Sequence, residues 1–263
     1  MPAEPFPTTT GADDEIPLPG GNVGGAVRVG DTVRRPTGPW TPAVHELLDF
    51  LADAGLGRIP RVLGIDDRDR EILTFLPGRV LEIGREALSD AQVRSAMAWL
   101  REYHAAVAGF PRESRRWRFV ERALRPGEIV CHHDTATYNL AFDGDALAGV
   151  FDWDVAGPGI PLDDVSIFAW NSAVLFPDAD AGEVAHVLRT TADGYGDLDP
   201  HVVLDHVITR MTDAADRIAA AQAAGDPGML RLGEVGEPAN TRARLRVLTP
   251  RLPELHAALD AAW

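Results

Sequence analysis

A histidine, an aspartate and an asparagine share one short stretch of this chain at the spacing His-x-Asp-x-x-x-x-Asn: His132, Asp134 and Asn139. A second acidic knot, Asp152-Trp153-Asp154, begins thirteen residues after Asn139, and an apolar run precedes each cluster. A carboxylate can orient and deprotonate an attacking hydroxyl. Hard oxygen donors can hold magnesium on a triphosphate, where the ion neutralises developing charge. Phosphoryl transfer needs both. The competing reading is that Asp and Asn simply favour turns. Asp143-Gly144-Asp145 is such a turn, joining the runs at 139–142 and 147–151 into a hairpin.

The ordered set resembles the aminoglycoside phosphotransferase family, kinase-like enzymes that also phosphorylate choline, homoserine and other small metabolites. Its members read His-Gly-Asp-x-x-x-x-Asn, a short hairpin, Ile-Asp-Trp or Ile-Asp-Phe, and then Asp-Leu-Ala. This chain has His132, Asp134 and Asn139, then Asp152-Trp153, then Asp164-Val165-Ser166, with His133 in place of the family glycine. The resemblance implies that Asp134 is the catalytic base and that Asn139 and Asp152 hold Mg2+. Asp154 is implied as a supporting carboxylate. Asp164 braces the loop carrying Asp134, and His132 packs beneath it. The implied donor is ATP or GTP. The implied acceptor is a hydroxyl of a small molecule, aminoglycoside-like by default. The match is specific over 129–166 and loose over 20–78.

One departure is plain: the sequence contains no lysine. Kinase-like enzymes place a lysine on a strand of the N-terminal lobe against the donor phosphates. Arginine carries the charge and grips phosphate with a planar fork, though with different reach. Arg34 is the first candidate for this role and Arg35 the second. Glu46, or His45 in a shifted register, is the candidate partner on the following helix.

Net charge is -15. This argues against nucleic acid, whose phosphates need a basic surface, and suits a cationic acceptor drawn by an acidic cleft. Asp178, Asp180, Glu183 and Asp197 are candidates for meeting ammonium groups. The single cysteine, Cys131, excludes an intrachain disulfide, points to a reducing compartment such as the cytoplasm, and reads as a buried, inert thiol. No apolar run reaches membrane length. A monomer or homodimer without membrane or nucleic-acid partners is expected.

Elements must position these groups. A Gly-rich turn at 20–25 precedes short strands at 26–29 and 32–35. Thr41-Pro42 opens a helix with Val44, Leu47, Leu48 and Leu51 on one face. Strands follow at 61–65 and 71–76, and backbone at Thr74, Phe75 and Leu76 is the implied hinge that meets the nucleotide base. Ser89-Asp90-Ala91-Gln92 reads as a capping box on a helix reaching 107. The arginine-rich segment 112–125 reads as a salt-bridged helix face. Helices are expected at 162–175, 180–194, 200–224 and 240–262, the last broken at Pro250 and Pro253. Residues 225–238 read as a Gly/Pro-rich loop near the acceptor.

The expected fold class is α+β: a two-lobed protein-kinase-like fold with a flexible arm (1–14), a β-rich nucleotide lobe (15–78) and a helical catalytic lobe (79–263). A different class of function is a nucleotide-binding, pseudokinase-like protein that transfers weakly or not at all. The missing lysine favours it, and Asp134, Asn139 and Asp152 oppose it.

Overall fold

The structure is a computed structural model that describes residues 15–18, 25–82, 86–172, 179–196 and 198–261. The expected arm at 1–14, residues 20–24 of the glycine-rich turn, and Asp178 and Asp197 lie outside the described residues.

The N-terminal part is an antiparallel sheet built from β-branched runs. Strands β1 (Ile16–Pro17), β2 (Val27–Val29), β3 (Thr32–Pro36), β4 (Val62–Ile65) and β5 (Arg70–Thr74) lie in the order β1-β2-β3-β5-β4. Gly30, with φ of 58°, makes the turn from β2 to β3. Helix α1 (Thr41–Asp53) interrupts the sheet in sequence and buries Val44, Leu47, Leu48 and Leu51. Its cap differs from expectation. Trp40 is the N-cap, and the Thr41 hydroxyl accepts the Gly38 amide at 2.8 Å instead.

After β5 the chain crosses to the C-terminal part through Gly78, whose φ is 138°. A side chain there would collide with Ala141 at 2.9 Å, so the crossing lies directly on the hairpin formed around Asp143-Gly144-Asp145. Strand β6 (Arg79–Val80) pairs with that hairpin. Helix α2 (Asp90–Val107) starts at the expected box, Ser89 and Gln92 each bonding the other's backbone.

The segment 112–125 is a hairpin of β7 (Arg115–Arg116) and β8 (Glu121–Arg122), not a helix. Its arginines have separate carboxylate partners, although Arg115 and Arg122 oppose each other across the hairpin. Arg115 pairs with Glu46, Arg118 with Asp154 and Asp226, and Arg122 with Glu128.

Strands β9 (Ile129–Cys131), β10 (Leu140–Asp143), β11 (Ala146–Val150) and β12 (Gly157–Gly159) frame the candidate site residues, with β10 on β11 and β9 on β12. Helices α3 (Pro161–Ser172), α4 (Ala181–Tyr195), α5 (Pro200–Ala223), α6 (Pro227–Glu234), α7 (Ala239–Leu248) and α8 (Leu252–Asp260) complete the chain. The break before α8 is a single 3₁₀ turn, Thr249–Arg251, at Pro250 as expected. The region expected as a loop instead holds α6. Asp226 caps it and Pro227 sits in its first turn, so the Gly and Pro there mark helix ends.

One aromatic group links the two parts. Trp153 is 2% exposed, and its ring meets Tyr103 at 5.2 Å, Trp99 at 6.4 Å and His132 at 4.5 Å. Trp99 in turn donates to the Gly57 carbonyl at 3.0 Å. Truncating such a buried indole costs about 3–5 kcal/mol, so the knot carrying Asp152 and Asp154 is anchored by its own middle residue.

Candidate active site

Asp134 stands between two donors. Tyr138 Oη donates to its Oδ1 at 2.9 Å and Asn139 Nδ2 to its Oδ2 at 2.8 Å. Burial pushes its carboxyl up to about 7, helped by the negative Asp152, while the two hydrogen bonds act the other way. Asn139 Nδ2 also donates to the Asp134 carbonyl at 2.9 Å. The amide nitrogen is therefore spent on Asp134, and the amide oxygen faces away from it.

The loop is held from below. Asp164 is fully buried and accepts the amides of His132 at 2.9 Å and His133 at 2.6 Å, with His104 Nε2 at 3.1 Å. Burial alone would raise its carboxyl, but the His104 hydrogen bond and nearby imidazoles outweigh it and hold the group well below the usual range. Thr135 Oγ1 donates to the Asp164 carbonyl at 2.8 Å. His132 Nδ1 accepts the Asp134 amide at 3.2 Å, and Nε2 lies 3.2 Å from the Phe151 carbonyl. Desolvation lowers its pKa, which keeps the ring neutral.

His133, at the family's glycine position, has φ of 66°. A left-handed non-glycine residue costs about 1 kcal/mol or more. Helix α5 secures it: Arg210 Nη2 lies 3.2 Å from both His133 Nδ1 and the His133 carbonyl. Cys131, His133 and Asp163 lie close enough together to hold a metal. Their donors are already engaged, however. Cys131 Sγ donates to the Ile160 carbonyl and Asp163 binds His206. Burial pushes the thiol up and the His133 imidazole down to about 4, and the Arg210 cation opposes a metal.

Asp152, two residues past β11, sits in the left-handed region, φ 65°, at the start of the 3₁₀ turn Trp153–Val155. It meets Arg35, whose Nη2 lies 3.0 Å from Asp152 Oδ1 and 2.5 Å from Asp154 Oδ1. Arg35 Nε binds Glu71 Oε1 at 3.0 Å, and Glu71 Oε2 binds His45 Nε2 at 2.8 Å. Burial would lower the Arg35 pKa, but Asp154, Asp152 and Glu71 more than offset it, so the group stays charged.

Two expectations change here. Arg35, not Arg34, reaches the carboxylates. Successive residues of a strand face opposite sides, and Arg35 shares its side with its cross-strand partner Glu71 while Arg34 faces the other. Glu46 points away to Arg115, with the two nearest pairs at 2.5 and 2.7 Å. The carboxylate beside the cation comes from β5 instead, bridged to α1 by His45, one residue earlier on the helix.

Thr74 and Phe75 spend their amides within the sheet, on the Arg61 and Asp31 carbonyls, at 3.0 and 2.9 Å. Arg28 covers the Phe75 ring at 3.9 Å. Of the three hinge residues, Leu76 alone has an amide with no main-chain partner among the described residues.

Arg118 was not foreseen as a site residue. Its side chain is 2% exposed, with Asp154 at 3.4 Å, Asp226 at 2.7 Å and the Trp40 ring at 4.2 Å. It ties the second acidic knot to the start of α6. No spacing rule finds it, because its partners lie 36 and 108 residues away. Asp180 caps α4, accepting the Gly182 and Glu183 amides, so its carboxylate is committed locally.

The donor set fits magnesium. Asn139 Oδ1 and the Asp152 carboxylate are hard oxygens, the second 40% exposed at the cleft. Among the described residues no helix is long and apolar enough to cross a membrane.

The model of the phosphotransferase enzyme family matches residues 27–128 and 117–202. A trifolitoxin immunity protein of Rhizobium leguminosarum bv. trifolii is 34% identical over 197 residues, 70% of this chain and 75% of that protein. The gentamicin complex of APH(2")-IIa superposes with a TM-score of 0.58 at 14% identity, covering 89% of this chain and 91% of the other. An amicoumacin kinase solved with AMP-PNP, Ca2+ and Ami gives 0.55 at 13% identity, covering 88% and 82%.

Proposed function

The chain belongs to the phosphotransferase enzyme family and has its kinase-like fold, and from that premise we propose how its residues divide the work of phosphorylating a small molecule. The donor is ATP or GTP. Its base meets the hinge at the Leu76 amide, and its phosphates meet Arg35 in the place of a lysine. Asn139 and Asp152 hold Mg2+, which neutralises charge on the phosphate oxygens when bound. Asp134 accepts the proton of the attacking hydroxyl as the terminal phosphoryl group moves in line, and positioning with electrostatics supplies most of the rate.

The observation that carries this reading is the setting of Asp134. Its two oxygens are fixed by Tyr138 and Asn139, and its carboxyl is pushed up to about 7. A base titrating near the working pH is matched to general-base catalysis. The acceptor is a small antibiotic-like molecule, cationic by the net charge of -15. The names of the immunity protein and of the gentamicin and amicoumacin complexes support that class.

A second reading, a nucleotide-binding protein with weak or no transfer, is favoured by one fact: Arg35 is already engaged by three carboxylates. A nucleotide-consumption assay separates the two. ATP and GTP with Mg2+ are run against aminoglycosides, other cationic antibiotics and amino alcohols. Acceptor-dependent turnover that vanishes in Asp134→Ala, with nucleotide binding kept, supports transfer. Nucleotide binding without turnover on any acceptor supports the second reading.

A further inference from the structure

Away from the cleft, the first turn of α5 and the middle of α8 bring two histidines together. His201 Nδ1 and His256 Nδ1 lie 2.7 Å apart. The ring planes agree within 1° and the centroids are 5.0 Å apart. Stacked rings cannot bring atoms to hydrogen-bond distance, so these rings meet edge to edge in nearly one plane. Each outer nitrogen faces a carboxylate, His256 Nε2 at 2.9 Å from Asp205 and His201 Nε2 at 3.3 Å from Asp260.

An ionised carboxylate only accepts hydrogen bonds, so each Nε2 carries its ring proton and each Nδ1 presents a lone pair. Two lone pairs then point at each other across 2.7 Å. Moving either ring proton inward merely aims a lone pair at a carboxylate. The arrangement is short of one positive centre. A carboxylate that fixes the tautomer of an imidazole whose other nitrogen faces a cation is the usual outer shell of a metal ligand. The two rings are 32% and 29% exposed, which leaves room for water to complete a coordination sphere.

We propose that His201 and His256 bind a divalent transition-metal ion of borderline softness, Zn2+ being the reference, through their Nδ1 atoms, with Asp205 and Asp260 orienting the rings. Imidazole nitrogens suit Zn2+, Cu2+ and Ni2+. Tetrahedral ligation requires the nitrogens to part by about 0.6 Å and the rings to tilt until both lone pairs converge on the ion, which partly exposed side chains permit. The ion clips α8 to the start of α5, so its binding free energy adds to stability by linkage.

The test is calorimetric titration of the purified chain with Zn2+ near neutral pH, with Co2+ absorption as a second readout and no phosphotransfer assay involved. The expected result is one ion per chain, with affinity at least 100-fold weaker in His201→Ala and in His256→Ala. Asp205→Asn should weaken it by about 10- to 100-fold. Gln variants at both histidines guard against a folding artefact, and metal-free melting temperatures confirm that every variant is folded. Identical isotherms for wild type and the histidine variants, or no binding by wild type, would overturn the proposal and leave a shared proton between the rings. Neither result bears on the kinase reading.

Discussion

Arg35 and Asp152 are joined at 3.0 Å across the cleft. The cation proposed for the donor phosphates and the carboxylate proposed for magnesium therefore neutralise each other in the free protein. Donor binding with Mg2+ must exchange this pair for phosphate and metal. Arg35→Met should raise the nucleotide KM by roughly 30-fold, the worth of about 2 kcal/mol for hydrogen bonds to a charged group. Arg34→Met, on the opposite face, should leave it within about twofold. Nucleotide saturation curves for both variants decide. Equal damage from the two would sink the assignment.

Asp134→Asn should separate function from stability. The Asp134 carboxyl is pushed up to about 7 in the folded chain from an ordinary 3.8. The folded state thus holds this proton more tightly than the unfolded state, and stability falls as pH rises from about 4 to 7. Above that window the ionised carboxylate costs on the order of 1 kcal/mol, discounted because the residue is only half-buried. The Asn variant should melt higher than wild type at pH 8, with the gain shrinking by pH 5. Turnover should drop on the order of 10²- to 10⁴-fold. Melting curves at the two pH values and steady-state rates test both halves.

Asp164→Asn replaces with a donating amide one of the two oxygens that together accept three donors, the His132 and His133 amides and His104 Nε2. At pH 7 the variant should lose about 3 kcal/mol, because breaking a buried charged network strands its partners. The Asp164 pKa is depressed on folding, so its contribution is full above the ordinary carboxylate range and is lost as pH falls below about 4. Urea midpoints should therefore separate wild type from variant at pH 7 and converge in acid. A constant gap down to pH 3 would refute the ionised-brace account.

Arg118→Met should destabilise the chain by about 3–5 kcal/mol, since Asp154 and Asp226 would lose their shared buried cation. Part of that loss should return in Arg118→Met combined with Asp226→Asn, as coupled neighbours do not add. Chemical denaturation of the two variants measures the coupling. Because Arg118 also covers the Trp40 ring at 4.2 Å, indole fluorescence should change in the native baseline.

His133→Gly relieves about 1 kcal/mol of left-handed strain but takes the ring from the buried Arg210, leaving it the residue-133 carbonyl, while its Nε and Nη1 have no hydrogen-bond partner among the described residues. A buried donor left unsatisfied costs about 1–3 kcal/mol. The net should be a modest loss, read as a melting temperature lowered by a few degrees. A higher melting temperature would mean that the imidazole contributes nothing beyond strain.

The arrangement of the candidate site loop was legible because its contacts are local. His132, Asp134 and Asn139 share one loop, and their spacing alone brings Asn139 Nδ2 to the Asp134 carboxylate. Apolar residues at helical spacing likewise placed α1 and α2, since each buries one face. The second knot could be located in the sequence, but not its partners. Whether Arg34 or Arg35 faced the cleft depended on a one-residue register that inverts every side chain of a strand. Glu46, or His45 in a shifted register, was the candidate partner on the helix, and only the packing of α1 against the sheet put Glu71 of β5 beside Arg35 and bridged it to His45. Arg118, Arg210 and the pairing of His201 with His256 join residues far apart in the chain. Such contacts arise only when whole elements dock, because ion pairing and desolvation depend on distances in space that no spacing along the sequence encodes.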